Sequence, residues 1–470
     1  MTLAAPPEGA AGAIRRDPGS FRDPSGFVYR RGGHVYRQIE PSFAERWAAV
    51  EATGLLARLA DAGKVLPYDE APLELAATAS AARVIRPAPV PFISYPYEWS
   101  FGQLRDAALL TLEIQQAALE VGLTLRDASA YNIQFLGSRP VHIDHLSLEP
   151  AEAGRPWIAY RQFCEHFLGP LALMAKRDIR LGRLLRTELD GIPLDLVSRL
   201  LPGSSRFRLG LGAHIHLHAR AQRRYAGAGE AAAERVAGTR KVNVGNLVIS
   251  LRDTIGGLSW EPHGTEWAEY DANTSYGEAA TASKERLIAD LLGQTTGASV
   301  WDLGANTGRF SRIAAEGGRS VLSFDIDPAA VERNYRALRA EGREDILPLV
   351  MDLADPSPAL GWAHQERASL TDRAAADVSL ALALVHHLAI GRNIPLPAIA
   401  EQLARFAPQL IIEFVPRDDP MVRQLLATRE DVFPDYTPDG FRAAFATVFE
   451  TVAEAPVEGS SRTLSLFRRK

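Results

Sequence analysis

The sequence predicts an α/β protein whose C-terminal half is a doubly wound, largely parallel sheet and whose N-terminal half is a separate α+β domain. Three observations carry this. The chain has 470 residues, more than a single core of roughly 250–300 residues organises. From Ser299 onward the apolar runs SVWDLG, SVLSFD, ILPLVMD, DVSLALAL and QLIIEF alternate with helical segments. Unalternated runs of this length suit strands buried on both faces. The first of them leads into a glycine turn and a helix start, VWDLGANTGRF at 300–310, where doubly wound folds hold a nucleotide-like ligand.

Composition narrows the class. Apolar residues make up 46% and charged residues 23%, as in soluble globular proteins. The net charge of −5 gives no whole-chain reason to expect nucleic acid or an anionic membrane, although a local basic region would be hidden in that average. One cysteine, Cys164, rules out a disulfide within the chain and fits a reducing cytoplasm. The N-terminus has no basic start followed by an apolar run, so it does not read as a secretory signal. Its Ala, Gly and Pro content reads residues 1–25 as a disordered tail. No window approaches 18 consecutive apolar residues, so no membrane span is expected.

The N-terminal elements follow in order. Residues 26–39 hold two β-prone runs around Gly32-Gly33 and read as a hairpin. Residues 42–62 read as a helix from Phe43, Trp47, Val50, Leu55, Leu56 and Leu59. Residues 87–97 are Pro-rich and extended, and 101–121 form an amphipathic helix. A short segment at 125–135, a strand near 140–143 and a helical stretch at 157–175 complete the half. AGAGEAAAERVAG, at 226–238, reads as a linker or a surface helix. The division is therefore 26–225, a linker at 226–239, and 240–470. His214, His216 and His218 would share one face of a strand. No cysteine or carboxylate completes a ligand set and the flanks are basic, so a solvated connector is expected and no metal site.

In the C-terminal half, Gly304 allows a sharp turn beside a ligand and Gly308 a close approach at the helix start. The middle glycine of G-x-G-x-x-G is missing, and Asp302 precedes the first glycine by two residues. A carboxylate there repels pyrophosphate and suits a ligand ending in an ammonium group. These residues resemble the first motif of class I S-adenosylmethionine-dependent methyltransferases, D/E-x-G-x-G-x-G, with Asn306 as a departure. The resemblance implies a Rossmann-like seven-stranded domain over 240–470 that ends in an antiparallel strand pair. It implies S-adenosylmethionine as cofactor, cradled by Asp302, Gly304, Ala305, Asn306, Thr307 and Gly308. Asp325, followed by Ile326, would accept the ribose hydroxyls, with Asp327 as substitute. Asp352 would accept from the adenine amino group and Leu353 would offer a backbone donor. Trp267, Tyr270, Asn273 and Tyr276, then Lys284, precede the first strand, where this family folds a segment over the cofactor. A hydroxyl acceptor needs a base, and His386, His387 and Glu413 stand at the ends of the fourth and fifth strands.

In the N-terminal half, Asp127, Asn132 and Asp144 occur in RDASAYN and VHID. Their spacing resembles the catalytic loop and metal-binding acid of protein and aminoglycoside kinases. That implies ATP and Mg²⁺, with Asp127 orienting a hydroxyl and Asn132 and Asp144 holding the metal. The first hairpin lacks a G-x-G-x-x-G, and Arg37 stands where the phosphate-binding lysine belongs. Its partner would be Glu45 or Glu51. The kinase-like half thus reads as a substrate-binding or regulatory domain, or as a phosphotransferase that makes the chain bifunctional. RDASAYNIQF, WDLGANTG and HHLAI together resemble bacterial nodulation-type methyltransferase proteins. A non-catalytic binding protein with two degenerate nucleotide folds is the third reading. The acceptor stays open among a small molecule, a glycan, a lipid-linked intermediate and a protein. Nucleic acid is disfavoured, since no basic segment is interleaved with aromatics. Oligomeric state is not readable.

Overall fold

The computed structural model describes residues 12–225, 243–263, 278–427, 430 and 432–470. The chain divides into two units. One runs to Glu261 and takes in Gly361–Arg367, and the other comprises Pro262–Leu360 and Ala368–Lys470. The 226–239 linker and Tyr276 with its aromatic neighbours lie outside the described residues.

The N-terminal unit begins with a five-stranded antiparallel sheet in the order β1-β2-β3-β5-β4: β1 Arg15–Arg16, β2 Gly26–Arg31, β3 His34–Ile39, β4 Tyr68–Ala71 and β5 Arg83–Pro87. Gly32 and Gly33 both take positive φ in the β2–β3 turn, a conformation glycine adopts without steric cost. The expected helix at 42–62 is two helices, Ala44–Ala52 and Leu55–Asp61, because Gly54 is left-handed at φ 63°. Phe101–Glu120 is one helix. Ser100 and Gln103 form a reciprocal cap at its start, with Gln103 N donating to Ser100 Oγ at 3.3 Å and Ser100 N to Gln103 Oε1 at 2.9 Å, which satisfies two orphan donors. Two short ladders follow, β6 Leu123–Leu125 with β9 Leu148–Pro150, and β7 Ile133–Leu136 with β8 Arg139–His142.

Three expectations for this half change. Residues 12–25 are not a tail: β1 pairs with β2, and Arg22 donates to both oxygens of the buried Glu366 at 2.6 and 3.0 Å. The boundary at 240 falls too early. The helix Val244–Gly256 groups with the N-terminal unit, where Thr254 packs against Gly210 so closely that any Cβ there would collide. His214 and His216 lie on a wide helical turn and His218 opens the helix after it, so none is on a strand. His214 bonds Tyr160 Oη and Ser250 Oγ, each at 2.9 Å, and His216 bonds Ser198 and Ser205 at 2.8 and 2.7 Å. His214 and His216 are satisfied core groups.

The C-terminal unit is a seven-stranded sheet in the order β12-β11-β10-β13-β14-β16-β15. Its strands are β10 Ser299–Leu303, β11 Ser320–Asp325, β12 Ile346–Val350, β13 Val378–Ala381, β14 Gln409–Phe414, β15 Phe449–Pro456 and β16 Thr463–Arg469. The first five are parallel, and β16 runs antiparallel to both its neighbours. All five runs read from the sequence are strands, and the final antiparallel pair is present. Val300, Val321, Ile346, Val378 and Ile411 share one apolar cluster with Ile288, Leu291 and Leu338 from the covering helices Glu278–Gly293 and Pro328–Glu341. The chain passes from β10 to β11 on one side and later returns to β13 on the other, so strand order reverses beside β10. Such a switch point opens a crevice at the strand C-termini.

Candidate active site at the carboxyl ends of the strands

The turn after β10 is fixed by backbone bonds to the neighbouring strand. Gly304 N and Ala305 N both donate to Phe324 O, at 2.8 and 2.9 Å. Gly304 takes φ 81°, and the non-glycine Asn306 takes φ 49°. Asparagine tolerates this left-handed conformation better than most side chains, which accounts for the departure from glycine. Gly308 has a steric reason of its own: a Cβ there would lie 2.5 Å from the Asn334 side chain. A Cβ on Gly304 would be in ordinary van der Waals contact with Leu384, at 3.6 Å, so the segment just before His386 borders the turn.

Two carboxylates flank this turn. Asp325 Oδ2 accepts from Asn306 N and Oδ1 from Asp327 N, each at 2.8 Å. Asp302 Oδ2 accepts from Ser311 Oγ at 2.6 Å, Ser311 Oγ bonds Ser323 Oγ, and Ser323 Oγ accepts from Asn334 Nδ2. Both acids are buried, and burial pushes each up to about 6, Asp302 further raised by Asp325 and Asp325 by Asp327. A carboxylate has about four lone-pair sites, so each retains accepting capacity. Asp352 follows β12. Its Oδ1 accepts from Ala354 N at 2.9 Å and its Oδ2 pairs with Arg392 at 2.9 Å. Leu353 adjoins it in the chain.

The three candidate bases prove unequal. Glu413, at the end of β14, is fully buried and ion-paired with Lys284 at 2.7 Å, and Arg462 approaches its other oxygen at 3.8 Å. Arg462 also pairs with Asp419 at 2.7 Å. Glu413 is thus a partner in a buried four-ion network. His386 and His387 follow β13 with their rings 4.0 Å apart. Burial, aided by the nearby cations, holds His386 well below the usual imidazole range and His387 at about 4. His386 is wholly buried, with neither ring nitrogen bonded among the described residues, while His387 is only half-buried. Lys284, Arg462 and Asp419 carried no such role in the sequence. Their partners lie 43 to 129 residues away, and no local pattern encodes burial of that kind.

In the N-terminal unit, Asn132 and Asp144 come together through Ile143 N, which donates to Asn132 O at 2.8 Å. Asp144 is paired with Arg37 at 2.5 Å, so neither Glu45 nor Glu51 is the partner of Arg37. That cation holds Asp144 below the usual carboxylate range against the opposing effect of burial. Asp127 is shifted upward by burial and by Asp144. Tyr131, in the same loop, stacks under the Arg367 guanidinium at 4.0 Å.

No protein-family model matches the chain. The nodulation protein NoeA of Rhizobium meliloti (strain 1021) is 36% identical over 464 residues, covering 97% of this chain and 96% of its own. Among solved structures, the N-methyltransferase NodS of Bradyrhizobium japonicum WM9 overlaps 41% of this chain and 97% of its own at 14% identity and a TM-score of 0.30. Magnesium protoporphyrin IX methyltransferase ChlM of Synechocystis PCC 6803, solved with bound SAH, overlaps 43% and 93% at 16% identity and a TM-score of 0.32. WbdD, crystallised with the kinase inhibitor LY294002, overlaps 46% of each chain at 17% identity and a TM-score of 0.29.

Proposed function

The chain belongs to the family of the nodulation protein NoeA, and on that premise we propose that its C-terminal unit transfers the methyl group of S-adenosylmethionine to an acceptor. The observation that supports this most is the 304–308 turn at the switch point, with Asp302 and Asp325 on either side. The residues fit the cofactor. Gly304 turns the chain sharply at φ 81°, the left-handed Asn306 continues the bend, and two buried carboxylates keep unused lone pairs. When bound, the cofactor supplies a methyl group on a positively charged sulfur. In this reading Asp325 accepts the ribose hydroxyls, Asp302 supplies negative charge toward the ammonium end, and Asp352 and Leu353 meet the adenine.

For a hydroxyl acceptor, His387 is our choice of base. It is neutral near pH 7 and half-buried, which makes it the more reachable of the two imidazoles, while the wholly buried His386 backs its ring. Alignment of the acceptor lone pair with the methyl carbon supplies most of the rate. A small molecule, a glycan or a protein remains eligible as acceptor. The relative's name ties it to nodulation, and we extend that setting to this chain as part of the proposal. Titration calorimetry with S-adenosylmethionine tests the reading. Binding near micromolar, about −8 kcal/mol, is expected, and Asp325→Ala weakens it by about 1.5–3 kcal/mol. Absence of binding by the wild type retires it.

A second reading concerns the N-terminal unit, which we propose is kinase-like and serves binding or regulation. The grouping of Asp127, Asn132 and Asp144 favours it. The group that such a fold implies, a nucleotide with Mg²⁺, fits poorly, because Arg37 already occupies the carboxylate that would hold the metal. No phosphoryl-transfer step is derived. A melting temperature that rises with ATP and Mg²⁺, and no longer rises in Asp144→Ala, would restore the bifunctional alternative.

A further inference from the structure

From Lys176 to Arg220 the sequence holds nine Lys and Arg against four Asp and Glu, in a chain whose overall balance is −5. The average conceals a basic region, and within it the apolar and basic side chains converge on one tip. A tight turn at Gly203–Phe207 is followed by Leu209–Leu211 and a wide helical turn at Gly212–Leu217. Arg206, Phe207, Arg208 and Leu209 are all exposed. Phe207 is 90% and Leu209 94% exposed, and Leu217 follows at 61%. Neither arginine forms an ion pair among the described residues.

The base of the tip is well fixed. Ser205 Oγ donates to Pro202 O at 2.6 Å and bonds His216 at 2.7 Å, and Gly212 N donates to Arg208 O at 2.7 Å. Gly210 is pressed against Thr254. The exposed side chains are therefore held outward by a folded support. Phe207 and Leu209, two positions apart, are both nearly fully exposed, which is costly in water and fits an interaction site.

We propose that Arg206–Leu209 is a docking tip for an anionic lipid surface. Charge complementarity selects this occupant. Phe207 and Leu209 stand out individually and would enter the boundary between headgroups and acyl chains, while Arg206, Arg208 and the surrounding basic residues face lipid phosphates. This is adsorption to a surface and not a crossing, consistent with no described helix being long and apolar enough to span a bilayer.

Co-sedimentation of the full chain with phosphatidylcholine vesicles, with and without phosphatidylglycerol, tests it. Retention should be at least about tenfold stronger on the anionic vesicles and should fall with added salt. Phe207→Ser with Leu209→Ser should cut it by about tenfold or more at unchanged melting temperature, since both positions lie outside any core. Arg206→Ser with Arg208→Ser should flatten the salt dependence. No retention on anionic vesicles at low salt, or retention indifferent to both double variants, overturns the proposal. So does self-association of the wild type that Phe207→Ser with Leu209→Ser abolishes while vesicles bind neither protein, a result that would assign the tip to a second copy.

Discussion

The two units bury titratable groups of opposite character. In the N-terminal unit, His142, His145, His166 and His214 are each held at about 4 by burial, so these four imidazoles stay neutral near pH 7. In the C-terminal unit, the acids at the strand ends, Asp302 and Asp325, are pushed up to about 6. Beside them four ions, Lys284, Glu413, Arg462 and Asp419, are buried as a paired set. The N-terminal interior also holds charged pairs, Arg37 with Asp144 and Arg22 with Glu366. The C-terminal one gathers two acids and four paired ions where a charged cofactor is proposed to bind, as sites that need electrostatic preorganisation do.

The sharpest way to break this comparison is to unpair the ionic set. Lys284→Met removes the 2.7 Å cation from the buried Glu413, and a loss of about 3–5 kcal/mol is expected in denaturant unfolding of the C-terminal unit. Adding Glu413→Leu to Lys284→Met should recover part of that loss, because it removes the stranded charge. No recovery would show that the pair matters for shape and not for charge.

Acid gives the next largest effect, and its sign differs between the units. A histidine whose folded value lies near 4, against 6.5 unfolded, contributes stability that is lost as pH falls from about 6.5 to about 4. The four N-terminal histidines all act in this direction, and His387 does the same in the C-terminal unit. Asp302 and Asp325 act oppositely. Their folded values exceed the unfolded 3.8, so their contribution falls as pH rises from about 4 to about 6. Lowering the pH from 7 to 5 should therefore depress the N-terminal transition in scanning calorimetry more than the C-terminal one. Added S-adenosylmethionine would identify the latter. Equal shifts would remove the distinction. The same two acids should make cofactor affinity rise as pH passes upward through about 6, when both become ionised.

A smaller and local effect is expected at the long N-terminal helix. Ser100→Ala removes the acceptor for Gln103 N and should cost about 1 kcal/mol, felt by the N-terminal transition alone.

What could be read in advance follows the same division. The five parallel strands were legible because each is a continuous apolar run, and the glycine turn because its chemistry is local. The histidine motif at 214–218 misled for a physical reason. Alternation suggests a strand, but a wide helical turn satisfies His214 and His216 through Tyr160, Ser250, Ser198 and Ser205, all distant in sequence. Gly54 was a visible breaker inside the helix read at 42–62, and its left-handed φ ended the first segment. Glu413 looked like a base because its position at a strand end is encoded locally, whereas its cations are not.

The excursion of Gly361–Arg367 bears on how this protein can be dissected. These seven residues lie in the sequence of the C-terminal half, yet they group with the N-terminal one, where Glu366 is gripped by Arg22 and Arg367 covers Tyr131. A fragment beginning at residue 262 would carry them without their hosts, leaving Glu366 without Arg22 and the Arg367 guanidinium unstacked in water. A fragment ending at 261 would lack the piece that fills its own surface. Cutting at a single point therefore yields two incomplete halves. Replacing 361–367 in the C-terminal fragment by a short glycine-serine bridge is the dissection that this chain path favours.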